Sequence, residues 1–563
     1  MRLSKILKCS LCQRRLAGAA LALAMTLTAA LLAACGGEGQ GPDVPVVSSI
    51  RVGTGLAADQ TLRRALDAMP RTLDPSLLTD VDAQKVTDDL FEGLTALGLD
   101  GSMVPGVATS WEVSADGKNW VFHLRPEARW SNGDPVTSAD FIYAWRRQVD
   151  PKTGTEYAQA LAPIVGAMAV ATGHAPVSSL GVDAPDPLTV RIALNSPTPY
   201  LLFLLADSFM QPLHRATIER WGDDWTRPEH WVSNGPFVVK EVVIGNRITL
   251  EKNPLYWDAA SVRPNQVIYY PLETLTQVGR FMAGDIQFAS IFPNSQFKWL
   301  KSQLGDQVVT GPYLGISQME VNMLGPPFAM SRDLRLALNL ALDRTILANK
   351  VGEGLQEPAF SVVPPLPGYR PQIPEWASWS DERRHAEARR LYAAAGYSAA
   401  HPLRVQLDYP TGEDNRDVFD AITAMWLTNL GAQVEPYNEE FRVLLQNLRL
   451  HKAALFQNGW IGDYPDPFTF LQLFQTGFDQ NFSAYSDPAY DALLSAAAQE
   501  ADPARRFRFF EQAERRLNEE GVSIPIMYYT SRHLVKPYVK GWQLNIQDRI
   551  VSRYMYLLEH EGG

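Results

Sequence analysis

Every cysteine of this 563-residue chain lies within its first 35 residues, at Cys9, Cys12 and Cys35. The part of the chain that follows has no thiol for a disulfide, so apolar packing alone must stabilise its fold. Hydrophobic residues make up 46% of the sequence, which is enough for a large core. Because more than 500 residues exceed what a single core usually supports, we expect two or three domains.

Residues 1–34 have the form of a lipoprotein signal peptide. Its first fifteen residues include five basic ones. Residues 16–34 carry no charge and are rich in Ala and Leu, and they lead into the lipobox-like sequence LAAC at 32–35. We predict cleavage after Ala34 and acylation of Cys35, with several chains forming a stable membrane tether. An uncleaved transmembrane anchor is the alternative, since roughly 17 to 25 apolar residues can span a bilayer.

The sequence after the predicted cleavage site indicates a flexible tether followed by an acidic folded part, which we call the body. Residues 35–50 are rich in Gly, Pro and Val without helical periodicity, so we expect a flexible tether there. Loss of the five basic residues of the signal peptide changes the formal charge from −11 to −16. Such an acidic protein repels phosphate backbones, and we expect no nucleic-acid partner.

The body alternates predicted strands and helices. Residues 120–124 have the pattern of a strand, Thr137 and Asp140 that of a capping box, and residues 433–435 that of another strand. Apolar spacing and stop signals predict helices after Ser331 and over 388–395, 417–430 and 503–518, the last with Arg505, Arg506 and Arg508 on its solvated side. This alternation favours α/β lobes with partly parallel sheets.

The usual catalytic signatures are missing from the sequence. It contains no H-E-x-x-H, G-x-S-x-G or G-x-x-x-x-G-K-[ST] motif, and its nine His show no pair at helical metal spacing. Asp463 and Asp466 are two nearby carboxylates that can in principle act as acid and base. Turn chemistry explains Asp466 before Pro467 more simply. We predict neither an enzyme nor a metal or cofactor site.

Six stretches, in order along the chain, carry a family resemblance. They are residues 89–94 (DLFEGL), 122–125 leading to 130–137 (FHLR and WSNGDPVT), 234–237 (NGPF), 326–328 followed by 341–344 (PPF and ALDR), 459–464 (GWIGDY) and 553–556 (RYMY). From about residue 56 onward the chain resembles the peptide-binding proteins of bacterial oligopeptide permeases, in the extracellular solute-binding protein family 5.

The resemblance implies an α/β fold of the periplasmic-binding-protein type (class II, or cluster C). Three lobes with a hinge would enclose the ligand in an interlobe cleft. The implied lobe I is discontinuous and combines residues 51–91, 217–314 and 531–563. Lobe II would be the insertion 92–216, and lobe III would be residues 315–530.

The resemblance also implies binding residues for an extended peptide. Asp463 stands where the family places the carboxylate that receives the peptide amine. Thr79, Asp80 and Val81 match one segment that pairs with the peptide main chain, and Gly459, Trp460 and Ile461 match the other. Tyr157 matches a tyrosine near the start of the peptide. Taken alone, Asp463 can be a helix or turn cap, Val81 and Ile461 buried strand residues, and Tyr157 an ordinary half-buried tyrosine.

The chain departs from the family at the positions that bind the C-terminal carboxylate of the peptide. At the aligned positions of the third lobe it has Leu448, Asn415 and Gln457, none of them basic. Arg449 and Arg416 lie one residue further on, but a one-residue shift on a regular element changes the face. Phe441 replaces a Trp that covers a side-chain pocket. We therefore expect altered length preference, or ligands without an ordinary terminal carboxylate.

The expected partners follow from these features. We expect short peptides as ligands, separate permease and ATPase subunits of an ABC importer, a membrane contact through Cys35, and a monomer outside the cytoplasm. Another cargo on the same scaffold, such as a cell-wall peptide, a metal chelate or a bile-acid-like amphiphile, is a second hypothesis. A hydrolase or chaperone-like protein is a third.

Overall fold

A computed structural model describes residues 50–561, apart from the side chain of Glu413. The predicted signal peptide, the acylation site Cys35 and the tether up to residue 49 lie outside the described residues. Between residues 50 and 561, no helix is long and apolar enough to cross a membrane. The same residues contain no group of three or more His, Cys, Asp or Glu side chains arranged to hold a metal ion.

The described residues form twenty strands. Their bounds are β1 Arg51–Leu56, β2 Thr61–Leu66, β3 Thr95–Leu97, β4 Met103–Pro105, β5 Ala108–Val113, β6 Asn119–Leu124, β7 Val182–Asp186, β8 Thr189–Ala193, β9 Phe237–Val243, β10 Arg247–Lys252, β11 Gln266–Pro271, β12 Phe288–Ala289, β13 Val308–Val321, β14 Glu357–Pro358, β15 Arg404–Pro410, β16 Gln433–Glu439, β17 Leu455–Ile461, β18 Ser523–Val535, β19 Val539–Lys540 and β20 Tyr556–Glu561.

Fifteen α-helices, several of a single turn, connect the strands within the described part of the chain. Their bounds are α1 Val81–Leu90, α2 Ser138–Val149, α3 Ala167–Ala171, α4 Leu201–Leu205, α5 Arg215–Trp221, α6 Thr274–Met282, α7 Phe297–Leu304, α8 Arg332–Leu340, α9 Arg344–Ile346, α10 Asp381–Ala394, α11 Glu413–Leu430, α12 Phe441–Arg449, α13 Phe468–Leu471, α14 Pro488–Gln499 and α15 Pro503–Glu520.

Most strands belong to one eleven-stranded sheet. Ten of them follow the order β16-β15-β17-β13-β18-β12-β2-β11-β10-β9, with β14 paired to β18 beside this path. The pairs β2 with β11 and β15 with β16 are parallel, while β13 pairs antiparallel with β17 and β18. The expected partly parallel α/β organisation is confirmed.

The long strands β13 and β18 link the two halves of this sheet. Their pairing shifts register between Pro312 and Ile316, which divides each strand into two stretches. The predicted lobe borders at 314/315 and 530/531 fall at this irregularity. Since a bulge bends a strand and weakens local pairing, the two strands are suited to act as a hinge.

Residues of the predicted lobe II form a separate four-stranded sheet of order β5-β6-β8-β7. Its buried side chains, such as Phe122 and Val190, join one large hydrophobic cluster with strands β2 and β11. Two further clusters lie between residues 314 and 527, one around Trp426 and one around Phe510. The described residues thus contain several hydrophobic clusters, and the division into two or three domains stays a prediction.

Local predictions from the sequence agree with the structure at most helix ends. Asp140 Oδ2 accepts the backbone amide of Thr137 at 2.8 Å, as the capping box requires. Ser331 Oγ accepts the amide of Leu334 at the start of α8. Gly431, with φ 72°, ends α11 in the left-handed conformation that favours glycine.

The prediction for one arginine of α15 is wrong. Arg505 and Arg508 are exposed, but Arg506 is only 4% exposed. Its guanidinium forms two bonds with Asp466, Nη1 to Oδ2 at 2.5 Å and Nη2 to Oδ1 at 2.9 Å. A bidentate carboxylate partner compensates the burial of the charge, which a helical periodicity cannot reveal.

Glu320, next to the last residue of β13, generates a stability prediction. The side chain is fully buried, and Gln318 and Asn458 donate to one of its oxygens. Burial raises its pKa to about 8, far above that of an unfolded chain. Its contribution to stability is therefore full below about pH 4.5 and is lost as the pH rises toward 8, by at most about 1.4 kcal/mol per pH unit.

We expect the Glu320→Gln variant to lose this pH dependence. Its free energy of unfolding in urea, compared with that of the wild type, should improve steadily between pH 5 and pH 8. The control Glu435→Gln, at an exposed position of β16, should show no such trend. A wild-type-to-variant difference for Glu320→Gln that stays constant with pH would contradict the prediction.

Candidate functional site

Strand β17 leads to Asp463. Its last residues Gly459, Trp460 and Ile461 pair with β13, and the amide of Gly462 then donates to Leu314 O at 2.8 Å. The buried hydroxyl of Thr469 accepts the indole N–H of Trp460 at 3.1 Å and the amide of Asp463 at 3.3 Å. This shared acceptor fixes Asp463 just beyond the sheet edge.

Asp463 opens onto a cavity of about 450 Å³ that we call the acidic cavity. Its charged lining residues are Asp80, Lys85, Asp88, Asp207, Asp463, Asp548 and Arg549. The predicted binding residues that also line it are Thr79, Asp80, Val81, Tyr157, Trp460, Ile461 and Asp463. The structure thus brings together seven of the eight predicted residues, from segments almost four hundred positions apart.

Gly459 is the predicted residue that does not line the cavity. It lies half-buried in β17, and a Cβ atom there would collide with the hydroxyl of Tyr529. Its small size accounts for the close packing of β17 on the tyrosine of β18. Whether its main chain meets a ligand stays a prediction.

The alternative for Val81 and Ile461, burial within a strand, is wrong. Val81 is 43% exposed and Ile461 is 38% exposed, and both face the acidic cavity. Val81 begins helix α1, whose N-terminus is capped by Asp80 Oδ1 accepting the amide of Ala83 at 2.7 Å. An apolar side chain exposed to an enclosed cleft is available to pack against a ligand.

Asp463 carries a carboxylate without a counter-ion. It is half-buried and forms no ion pair among the described residues, and no backbone N–H within them donates to it. The cap alternative therefore has no bond to support it. Burial first, and the charge of Asp207 second, raise the pKa of Asp463 to about 7. A cation placed beside it would relieve both effects.

A second cavity, of about 400 Å³, meets the first at Asp463, Tyr157 and Trp460. We call it the aromatic cavity, because its wall includes Tyr200, Tyr464, Phe468 and Phe510. Asp463 therefore lies at the junction of an acidic and a largely apolar space, which suits an amine next to a side chain.

Several lining residues were not predicted, chiefly Gln84, Asp207 and Arg549. Arg549 Nη2 donates to Asp88 Oδ1 at 2.7 Å, and Gln84 Nε2 donates to Asp207 Oδ2 at 2.9 Å. In the sequence, Asp207 is a lone acid directly after the apolar run 201–206. In the sequence, this contrast is the only sign of a functional role for Asp207, and it does not show which residues contact Asp207 in the fold.

The positions aligned with the family's carboxylate-binding residues offer no cation. Leu448 is buried in a small apolar cluster, Asn415 donates to Pro410 O, and Gln457 is 7% exposed within β17. Their basic neighbours lie on the surface, where Arg449 pairs with Glu156 and Arg416 with Asp420, each at 3.7 Å.

Comparison with known proteins decides the family. The model of the bacterial extracellular solute-binding proteins, family 5 (middle region), matches residues 102–482. The chain belongs to this family. It is 36% identical to the periplasmic oligopeptide-binding protein OppA of Escherichia coli, over 92% of this chain and 96% of OppA. It is equally 36% identical to the murein peptide-binding protein MppA of the same bacterium, over 90% and 95%.

Solved structures agree with the family 5 assignment. The E. coli murein tripeptide-binding protein MppA superposes with a TM-score of 0.82 at 35% identity, covering 90% of this chain and all of MppA. Haemophilus influenzae OppA, in complex with the peptide RPPGFSPFR, has a TM-score of 0.80 at 33% identity, with the same coverage. The predicted fold of three lobes, a hinge and an enclosed cleft is confirmed, and the protein is an extracytoplasmic solute-binding component, not an enzyme.

A stack of two tyrosines joins the walls of the cleft in this family 5 protein. The rings of Tyr200 and Tyr464 are parallel within 3° and 3.9 Å apart, and Phe468 and the Arg506 guanidinium lie nearby. Tyr200 follows the sheet of lobe II, whereas Tyr464 directly follows Asp463. Since Tyr200 belongs to the predicted lobe II and Tyr464 to the predicted lobe III, we expect the stack to favour a closed arrangement of the lobes.

We expect the Tyr200→Ala variant to open the cleft more often. Loss of an aromatic pair worth about 0.5–1.5 kcal/mol should raise the open population roughly 2- to 10-fold. Because the body has no cysteine, spin labels on Ala115→Cys and Ala504→Cys, both exposed positions, report the distance between the cleft walls. Tyr200→Phe keeps the ring and should behave as the wild type. Identical distance distributions for Tyr200→Ala would contradict the prediction.

Proposed function

We propose that this protein captures short peptides in extended conformation and delivers them to an ABC importer. The observation that carries the proposal is the carboxylate of Asp463, half-buried at the cleft and without a counter-ion. A free peptide amine is a cation, and enclosing it without a partner is costly. Asp463 supplies that partner.

Main-chain pairing would supply affinity that does not depend on sequence. Trp460 and Ile461 end a strand at the cavity, and Thr79 and Asp80 precede helix α1 on the facing wall. An extended peptide between these segments can exchange backbone hydrogen bonds with both, as in β-augmentation. The relatives OppA and MppA, which are named for binding oligopeptides and murein peptides, support a peptide ligand.

We further propose that the mature protein is a monomeric lipoprotein, anchored outside the cytoplasm through acylated Cys35. The basic start, the apolar stretch and the small residues before Cys35 support this reading. Transport would require separate membrane and ATPase subunits.

A second candidate is a modified ligand, such as a cell-wall peptide, held by the same scaffold. The lining of the acidic cavity favours it. Its two basic residues, Lys85 and Arg549, are already paired with Asp82 at 3.1 Å and Asp88 at 2.7 Å. An ordinary terminal carboxylate would meet no free cation there.

Replacement of the amine's partner should abolish tight binding. Removing one member of a buried ion pair typically costs ~3–5 kcal/mol, so the affinity of Asp463→Asn for peptides should fall roughly 100-fold or more. Isothermal titration calorimetry on the mature protein measures this. Asp479→Asn is the matched control, because Asp479 is an exposed acid lining the aromatic cavity.

The same experiment includes N-acetylated peptides, which lack the charge and should bind poorly to the wild type. Unchanged affinity of Asp463→Asn, or equal binding of acetylated and free peptides, would reject the role of Asp463.

Peptide affinity should also depend on pH. The pKa of unliganded Asp463 is about 7, and Tyr157, Tyr464 and Asp207 are the titratable groups around it. An ammonium group binds only the ionised carboxylate. Affinity should therefore fall below pH 7 by up to tenfold per unit, and more steeply below pH 6, where Asp207 with its pKa of about 6 also gains a proton.

Titrations between pH 5 and pH 8 test this dependence. Asp463→Asn should retain only the weaker component due to Asp207. A wild-type affinity that is constant over this range would contradict the assignment.

A further inference from the structure

The acidic cavity carries more negative charge than one amine can balance. Five carboxylates and two basic side chains line it. Lys85 Nζ lies 3.1 Å from Asp82, and Asp548 pairs with His533 at 2.7 Å. The helix-capping bond to Ala83 occupies one oxygen of Asp80. These contacts leave Asp88 and Asp207 to share the single guanidinium of Arg549, and Asp463 without a cation among the described residues.

Arg549 forms its shorter hydrogen bonds with Asp88. Its Nη2 and Nε donate to the two oxygens of Asp88 at 2.7 and 3.1 Å, whereas its Nη1 reaches Asp207 only at 3.4 Å. Asp207 is 6% exposed and has one shorter bond, from the neutral amide of Gln84 at 2.9 Å. The carboxylate of Asp207 is thus deeply buried, lines the ligand cavity and has only a distant share of a cation.

Asp207 and Asp463 line the same cavity. Asp207 follows helix α4 at the end of the lobe II insertion, and Asp463 follows β17 in lobe III. Tyr157 lines the cavity with both, and the charges of both raise the pKa of its hydroxyl, after the effect of burial. The two carboxylates also repel each other, as the elevated pKa of Asp463 reflects.

We propose that Asp207 is a specificity residue that receives a second positive charge at the amino end of the ligand, so that peptides with a basic first residue are preferred. The proposal rests on the proposed function, since it places the ligand amine at Asp463. One ammonium neutralises one of the two carboxylates and leaves the other buried without full compensation, which is costly. The side chain of the first residue starts from the carbon that bears the ammonium, so its charge would lie in the same cavity as Asp207.

The test compares tetrapeptides of alanine in which the first residue is lysine or norleucine. Norleucine has the four side-chain carbons of lysine but lacks the terminal ammonium. By calorimetry at pH 7.5, the wild type should bind the lysine peptide about 10-fold more tightly or better. A peptide with lysine at its third position has the same net charge and should not share the advantage.

The Asp207→Asn variant is then compared with the wild type on the same peptides. Asparagine keeps the acceptor for Gln84 and Arg549 but removes the charge, so the variant should lose the preference for lysine over norleucine, whatever its affinity for the norleucine peptide. Equal binding of both peptides to the wild type, or a preference that survives in Asp207→Asn, would overturn the proposal while peptide capture stands. If no peptide with a free amine binds, the proposed function fails and the proposal fails with it.

Discussion

A half-buried negative charge without its own counter-ion favours a cation that enters the site. Asp463 is in this position at the junction of two cavities, and Asp207 in the same lining adds to the imbalance. In an enclosed site such a charge is expensive, and it therefore selects for a cationic group. The proposed recognition of the ligand amine and its dependence on pH both follow from this one electrostatic constraint.

The fold contains two features that suit opening and closing of the cleft around this charge. Strands β13 and β18 run through both halves of the large sheet, and their shifted register lets the halves bend without breaking the sheet. The stack of Tyr200 on Tyr464 joins the walls next to Asp463. We therefore expect closure to set the tyrosine contact and to enclose the proposed amine site in the same motion.

Features coded by neighbouring residues could be predicted from the sequence. The capping box of Thr137 and the stop at Gly431 depend on a few adjacent positions, and the family motifs led to Asp463 and Tyr157. Charge pairing across the fold could not be predicted in the same way. Asp466 explains the burial of Arg506, yet forty positions separate them. Asp207 meets the ligand space of Asp463 through the packing of two lobes, and no local pattern reports that packing.

The molecule that the protein carries from its native cell tests the central claim most directly. Gentle purification of the mature protein, release of its ligand by denaturation and mass spectrometry with amine-specific labelling would identify it. The account predicts a peptide, ordinary or modified, with a free primary amine at its amino end. A tightly bound ligand without any amine or other cationic group would contradict it.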